Sequence, residues 1–155
     1  MTSKKHLKIR DMAATIIDQM TEDFDREIQI LHTFSADICV RGVHYYNIQP
    51  DVGTDLKISP EDNPMSLVHD RYAIAVTSAT RKVGHVPKFM SRFVYFFLRH
   101  GGTVTGRVVG SREYSFDLEQ GGLQIPTKYT FTGPCNIVEV MKTNISRLIE
   151  ENTVV

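Results

Sequence analysis

The stretch that decides the fold is Asp70-RYAIAVTSATRKVGHVPKFMSRFVYFFLRHGGTVTGRVVGS-Arg112. It begins with a short apolar alternation, Tyr72-Ala73-Ile74-Ala75-Val76, and then turns through Ser78-Ala79-Thr80-Arg81-Lys82. Val83-Gly84-His85-Val86-Pro87-Lys88 leads into a nearly all-apolar run from Phe89 to Leu98, which Gly101-Gly102 stops. A strand-like piece, Thr103 to Val109, closes the stretch. No acidic residue lies between Asp70 and Glu113, whereas Arg71, Arg81, Lys82, Lys88, Arg92, Arg99, Arg107 and Arg112 give that interval a balance of +8. The whole chain is formally neutral, so the remainder sums to −8. Such asymmetry is the electrostatic mark of a surface that faces a polyanion.

A chain of 155 residues with 41 % hydrophobic and 23 % charged content describes one globular domain, expected over 1–155, with a real core. The Phe89–Leu98 run contains Ser91 and Arg92 and is too short to span a bilayer, so no membrane segment is expected. The basic tip 1–10, with Lys4, Lys5, Lys8 and Arg10, precedes no continuous apolar segment, which argues against a signal peptide. Cys39 and Cys135 stand 96 positions apart and are expected to be reduced, buried thiols. The chain reads as intracellular.

Along 11–34, Met12, Ile16, Met20, Phe24, Ile28 and Leu31 fall at helical spacing. Asp11 suits the N-cap, and Asp18, Glu22, Asp23, Asp25 and Glu27 make the opposite face acidic. This helix either docks on the body of the domain or binds a protein partner. Ile38 to Tyr46 reads as a strand with a bend at Gly42, and Asp55 to Ile58 as a second, with one long loop from Pro60 to His69. Phe89 to Arg99 is a helix with phenylalanines every four residues, wide enough in its apolar face to be mostly buried on a sheet. Ser91, Arg92, Tyr95 and Arg99 form its narrow polar stripe. Strands follow at Thr103–Val109, Tyr114–Leu118 and Ile125–Phe131, the last expected at a sheet edge because of Pro126. Ile137, Met141, Ile145, Leu148 and Ile149 define a final amphipathic helix, 135–152. The fold class is therefore mainly β with flanking helices (α+β): a small, partly closed antiparallel barrel with one buried central helix.

No phosphate-binding loop or dinucleotide fingerprint is present, and no serine sits in a nucleophile elbow. His6, His32, His44, His69, His85 and His100 lack metal-ligand spacing, so neither metal nor cofactor is expected. Glu61-Asp62 and Glu150-Glu151 read as solvated pairs. Nothing makes a case for an enzyme.

Four blocks occurring in order resemble the HIRAN domain: Val40-Arg41-Gly42-Val43-His44-Tyr45-Tyr46, Asp62-Asn63-Pro64, Asp70-Arg71-Tyr72-Ala73-Ile74-Ala75-Val76 and Val83-Gly84-His85-Val86-Pro87-Lys88. The resemblance covers about residues 38–110 and implies an OB-like barrel, placed here over 38–132. The family is attached to fork-remodelling ATPases and to a DNA-repair nuclease, where it captures the 3′-hydroxyl end of single-stranded DNA. It implies, position by position, that Tyr45 lines the pocket and that His44 stands where the remodeller has arginine. Asn63 falls in the loop block, and His69 takes the place of a stacking tyrosine. Asp70 matches the acid that accepts the terminal hydroxyl's hydrogen bond, while His85 and Lys88 match residues that meet phosphates. The chain departs from the family by four extra residues, Met65 to Val68, ahead of His69.

The residues make physical sense in those roles. An acid in a cationic stretch disfavours phosphate unless it accepts a specific hydroxyl proton. An aromatic ring and an imidazole can stack a terminal base at about 1–3 kcal/mol per base. Each residue also has a structural reading: Asp70 as a cap or a partner of Arg71, Tyr45 as core, His85 as a buried hydrogen-bonded imidazole. The expectation is a non-catalytic, nuclear module that binds single-stranded DNA and its 3′ end. The alternative is a protein-interaction domain that keeps the barrel without end binding.

Overall fold

The computed structural model describes residues 12, 15–16, 31–43, 46, 48–114 and 122–152. Where one domain is expected over 1–155, the chain divides into two compact units, Met1–Leu31 and His32–Val155. The first lies almost wholly outside the described residues, and with it most of the expected acidic helix and its proposed protein partner.

The second unit runs β1 (His32–Arg41), β2 (Asp55–Pro60), α1 (Pro64–His69), β3 (Ile74–Ser78), β4 (Arg81–His85), α2 (Lys88–Arg99), β5 (Thr103–Val108), β6 (Glu113–Tyr114), β7 (Leu123–Gly133) and α3 (Cys135–Asn152). Strands are hydrogen-bonded in the order β1-β4-β3-β2-β5-β7, and β7 returns to β1, so six antiparallel strands close into a barrel with β6 appended to β7. Closure removes the sheet edges that would otherwise be open to mispairing. Alternation builds the core: Val104, Gly106 and Val108 of β5 face inward while Thr103, Thr105 and Arg107 face out. On β7, Ile125, Thr127, Tyr129 and Phe131 are buried. The Tyr129 hydroxyl donates to the Cys39 carbonyl at 2.6 Å. Burial, and then the Cys39 thiol, push that hydroxyl well above its usual range, so it remains a donor. α2 supplies Met90, Val94 and Phe97 to the same core, and α3 supplies Val138, Met141 and Ile145.

Several expectations need correction. Residues 32–34, assigned to the N-terminal helix, are strand: β1 pairs with β7 continuously from His32↔Gly133 to Arg41↔Gln124. Phe34 stacks on Phe131 at 4.7 Å, and Thr33 and Ser35 meet the Thr132 and Thr130 hydroxyls. These long-range partners override local helical spacing. At its other end β1 stops at Arg41 rather than Tyr46, because Gly42 turns the chain at φ 73°.

Pro126 is not on an edge strand, since β7 pairs with β1, β5 and β6. Its carbonyl accepts from Val109 N just past the last β5 pair, Val108↔Thr127, so its ring nitrogen faces the gap between β5 and β6 where no donor is required. Cys39 is buried as expected, but Cys135 is exposed at the start of α3. Tyr114 belongs to β6, and residues 115–118 of the expected Tyr114–Leu118 strand lie outside the described residues. No described helix is long and apolar enough to cross a membrane.

Candidate functional site

The expected loop from Pro60 to His69 contains a helix. Asn63 accepts from Met65 N at 3.0 Å as its N-cap, Pro64 occupies the first turn, and the Asp70 amide donates to Ser66 O at the other end. The four extra residues, Met65 to Val68, form the body of this helix, α1, which buries none of its side chains. Its C-terminal end delivers His69 and Asp70 to a cavity of about 770 Å³. Arg41 and Gly42 at the end of β1, His85 at the end of β4 and Lys88 at the start of α2 complete the walls, together with Tyr46 and Met65.

Asp70 is half-buried and held from two sides. Its Oδ1 accepts from Tyr72 N at 2.9 Å and its Oδ2 from the Ser91 hydroxyl at 2.7 Å. Each carboxylate oxygen retains a further lone pair. Arg71 turns away from it and donates to the Tyr72 hydroxyl at 3.0 Å. Among the described residues Asp70 is the one carboxylate lining the cavity, against Arg41, Lys88 and two imidazoles. The positive end of the α2 dipole begins at Lys88.

Behind His85 lies a group that the sequence does not announce. Glu61, read as solvated, is 6 % exposed. Lys82 Nζ donates to its two oxygens at 2.5 and 2.7 Å, and the Asn63 amide donates at 3.0 Å. Its Oε2 lies 2.5 Å from His85 Nε2. Burial opposes ionisation of Glu61, but the hydrogen bonds from Lys82, Asn63 N and His85, with the Lys82 charge, outweigh it and hold the carboxyl at about 2. An ionised carboxylate has no proton to give, so His85 Nε2 carries the proton in this bond.

Residues 82 and 85 would point to opposite faces of a regular strand. They converge because the β3–β4 register shifts between Val76↔Gly84 and Thr77↔Lys82, leaving Val83 as the extra residue of a bulge. Tyr46 completes this wall, with its ring 5.9 Å from that of His85 and Lys82 Nζ 5.8 Å from its centroid.

Of the seven residues singled out in the sequence, His69, Asp70, His85 and Lys88 meet at the cavity. Asn63 does not line it and instead caps α1. His44 and Tyr45 lie outside the described residues. Arg41, Tyr46 and Met65 line the cavity without having been singled out; Tyr46 carried a signal as the second member of a tyrosine pair. Among the described residues no group of three or more His, Cys, Asp or Glu could hold a metal ion.

The HIRAN domain family model matches residues 33–130, which is β1 through most of β7. The chain belongs to the HIRAN domain family. The match is wider than the four sequence blocks and takes in nearly all of the closed barrel, with α3 beyond it. Among solved structures, the crystal structure of the HIRAN domain of human HLTF is similar at 18 % identity and TM-score 0.54, covering 77 % of this chain and 89 % of that one. The NMR structure of the HLTF HIRAN domain is 16 % identical with TM-score 0.45, covering 77 % of this chain and 92 % of that one. The first likeness is one of fold, an OB-like barrel with flanking helices. No curated protein matches the chain.

Proposed function

We propose that this HIRAN domain is a non-catalytic module that takes the 3′-hydroxyl end of single-stranded DNA into the cavity between β1, α1 and α2. One observation carries the reading: among the described residues, Asp70 is the one carboxylate lining a cavity whose other ionisable side chains are Arg41, Lys88, His69, His85 and Tyr46. A site for phosphate alone gains nothing from an acid, whereas a terminal hydroxyl has a proton to donate to it. Ser91 and Tyr72 N orient the carboxylate. Lys88 and the start of α2 are placed for a phosphate, and His69 and Tyr46 offer faces for a base. Glu61 holds His85 in its orientation, and Asn63 acts through α1. His44 and Tyr45 enter through the family resemblance. The same reading puts the protein at DNA ends in the nucleus.

Fluorescence anisotropy with a short single strand bearing a 3′-hydroxyl, against the same strand 3′-phosphorylated, tests this at two salt concentrations. Binding should weaken with salt and be abolished by the phosphate, and Asp70→Asn should cost about tenfold or more, as loss of a charge-assisted hydrogen bond implies. Salt-sensitive binding indifferent to the 3′ group would reduce the function to a general single-strand surface. A second reading, a protein-interaction module, is favoured by an apolar groove of about 570 Å³ between α2 and α3, where Phe96 and Val140 are exposed. No binding at low salt would leave that reading standing.

A further inference from the structure

The polar stripe of α2 continues away from the cavity. Lys88, Arg92, Tyr95, Phe96 and Arg99 recur at three- and four-residue steps, which places them along one side of the helix. Tyr72, two residues past Asp70, packs against this stripe, its ring 5.2 Å from Tyr95 and 5.5 Å from Phe96. Three guanidinium groups lie over the rings: Arg71 at 5.0 Å from Tyr72, Arg92 at 5.8 Å from Tyr72, and Arg99 at 5.9 Å from Tyr95. Phe96 is 40 % exposed. Among the described residues, none of the three arginines is in an ion pair. A merely solvated helix face gains by alternating acids with its arginines, and α2 has no acid. Unneutralised guanidinium groups interleaved with accessible rings instead match a strand that presents phosphates and base faces in turn.

The stripe is also continuous with the cavity. Lys88 belongs to both, and Asp70 is bonded on one side to Tyr72 N and on the other to Ser91, the neighbour of Arg92. From Lys88 to Arg99 the helix rises about 16 Å, the length of about five stacked nucleotides.

We propose that this arginine–aromatic ladder along α2 is a second binding surface, which carries the single-stranded DNA leaving the cavity. The proposal rests on the end-binding reading above. It is tested on the full chain by comparing a 4-mer and a 12-mer with the same 3′ end. The wild-type protein should bind the 12-mer at least about tenfold more tightly. Arg92→Gln with Arg99→Gln, which keeps much of the aliphatic stems, should bind the 4-mer as before and lose most of that gain. Its affinity for the 12-mer should also change about sevenfold less between about 50 and about 200 mM salt, the effect of two lost phosphate contacts. Phe96→Leu keeps apolar volume without the ring and should weaken the 12-mer alone, by about fivefold or more.

A length-dependent gain that survives in the arginine variant, or no gain in the wild-type protein, overturns the ladder while 4-mer binding still supports the cavity. Loss of 4-mer binding in Asp70→Asn reports on the cavity alone. No binding of either oligonucleotide overturns both.

Discussion

Glu61 lies in a segment with every mark of a solvated loop, Pro60-Glu61-Asp62-Asn63-Pro64, and is nevertheless buried beneath the cavity wall. Its folded value of about 2 is below the ordinary 4.5, so the unfolded chain takes up a proton first as pH falls. The resulting stabilisation, on the order of 3 kcal/mol, is fully present above about 4.5 and disappears as pH drops through about 2. Glu61→Gln should destabilise the protein by about 2–4 kcal/mol at neutral pH, because Lys82 is left half-buried without its counter-charge. It should also flatten the loss of stability between pH 4.5 and 2. Urea denaturation of both proteins across that range measures both effects. Equal slopes in the two proteins would mean that another carboxylate governs the acid limb.

The β3–β4 hairpin is the element on which the site depends, since its bulge at Val83 brings Lys82 and His85 onto one carboxylate. The turn itself carries strain: Ala79 sits at φ 53° in the two-residue connection between Ser78 and Arg81. A Cβ is disfavoured there by roughly 1–2 kcal/mol. Ala79→Gly should therefore raise stability, by about 0.5–1 kcal/mol once the greater freedom of glycine in the unfolded chain is subtracted. A higher denaturation midpoint with unchanged cooperativity would bear this out; a lower one would show that the turn is relaxed. α1 teaches the converse. It buries no side chain and stands on its caps, Asn63 and Asp70, so neither hydrophobic periodicity nor an apolar run marks it.

At the scale of the whole molecule, the barrel closes where β4 meets β1. A Cβ at Gly84 would stand 2.4 Å from the Arg41 carbonyl and 2.7 Å from Val40 Cγ1, which only a shift of backbone can relieve. Gly84→Ala should cost about 2 kcal/mol or more and loosen the β1–β4 contact, Arg41↔His85. Faster amide hydrogen exchange at β4 with slower change at the β1–β7 seam would locate the loss; uniform exchange would refute it. The charge excess of the central stretch also divides at this scale. Lys82 is spent on Glu61 and Arg107 pairs with Asp55 at 3.0 Å. Arg71, Arg92 and Arg99 remain grouped over the rings beside the cavity.

The class of fold, the helices α2 and α3, the strands β5 and β7, and four of the residues that meet at the cavity are legible in the sequence. Those features are encoded locally, by period, by glycine and proline stops, and by short ordered blocks. Long-range packing decided that residues 32–34 pair as strand and that Pro126 sits inside the sheet beside a gap. It also decided that Asp70, at the end of α1, is held by Ser91, and that Glu61 is buried between Lys82 and His85. Each depends on partners roughly 20 to 100 positions away, whose contribution a short window of sequence does not contain.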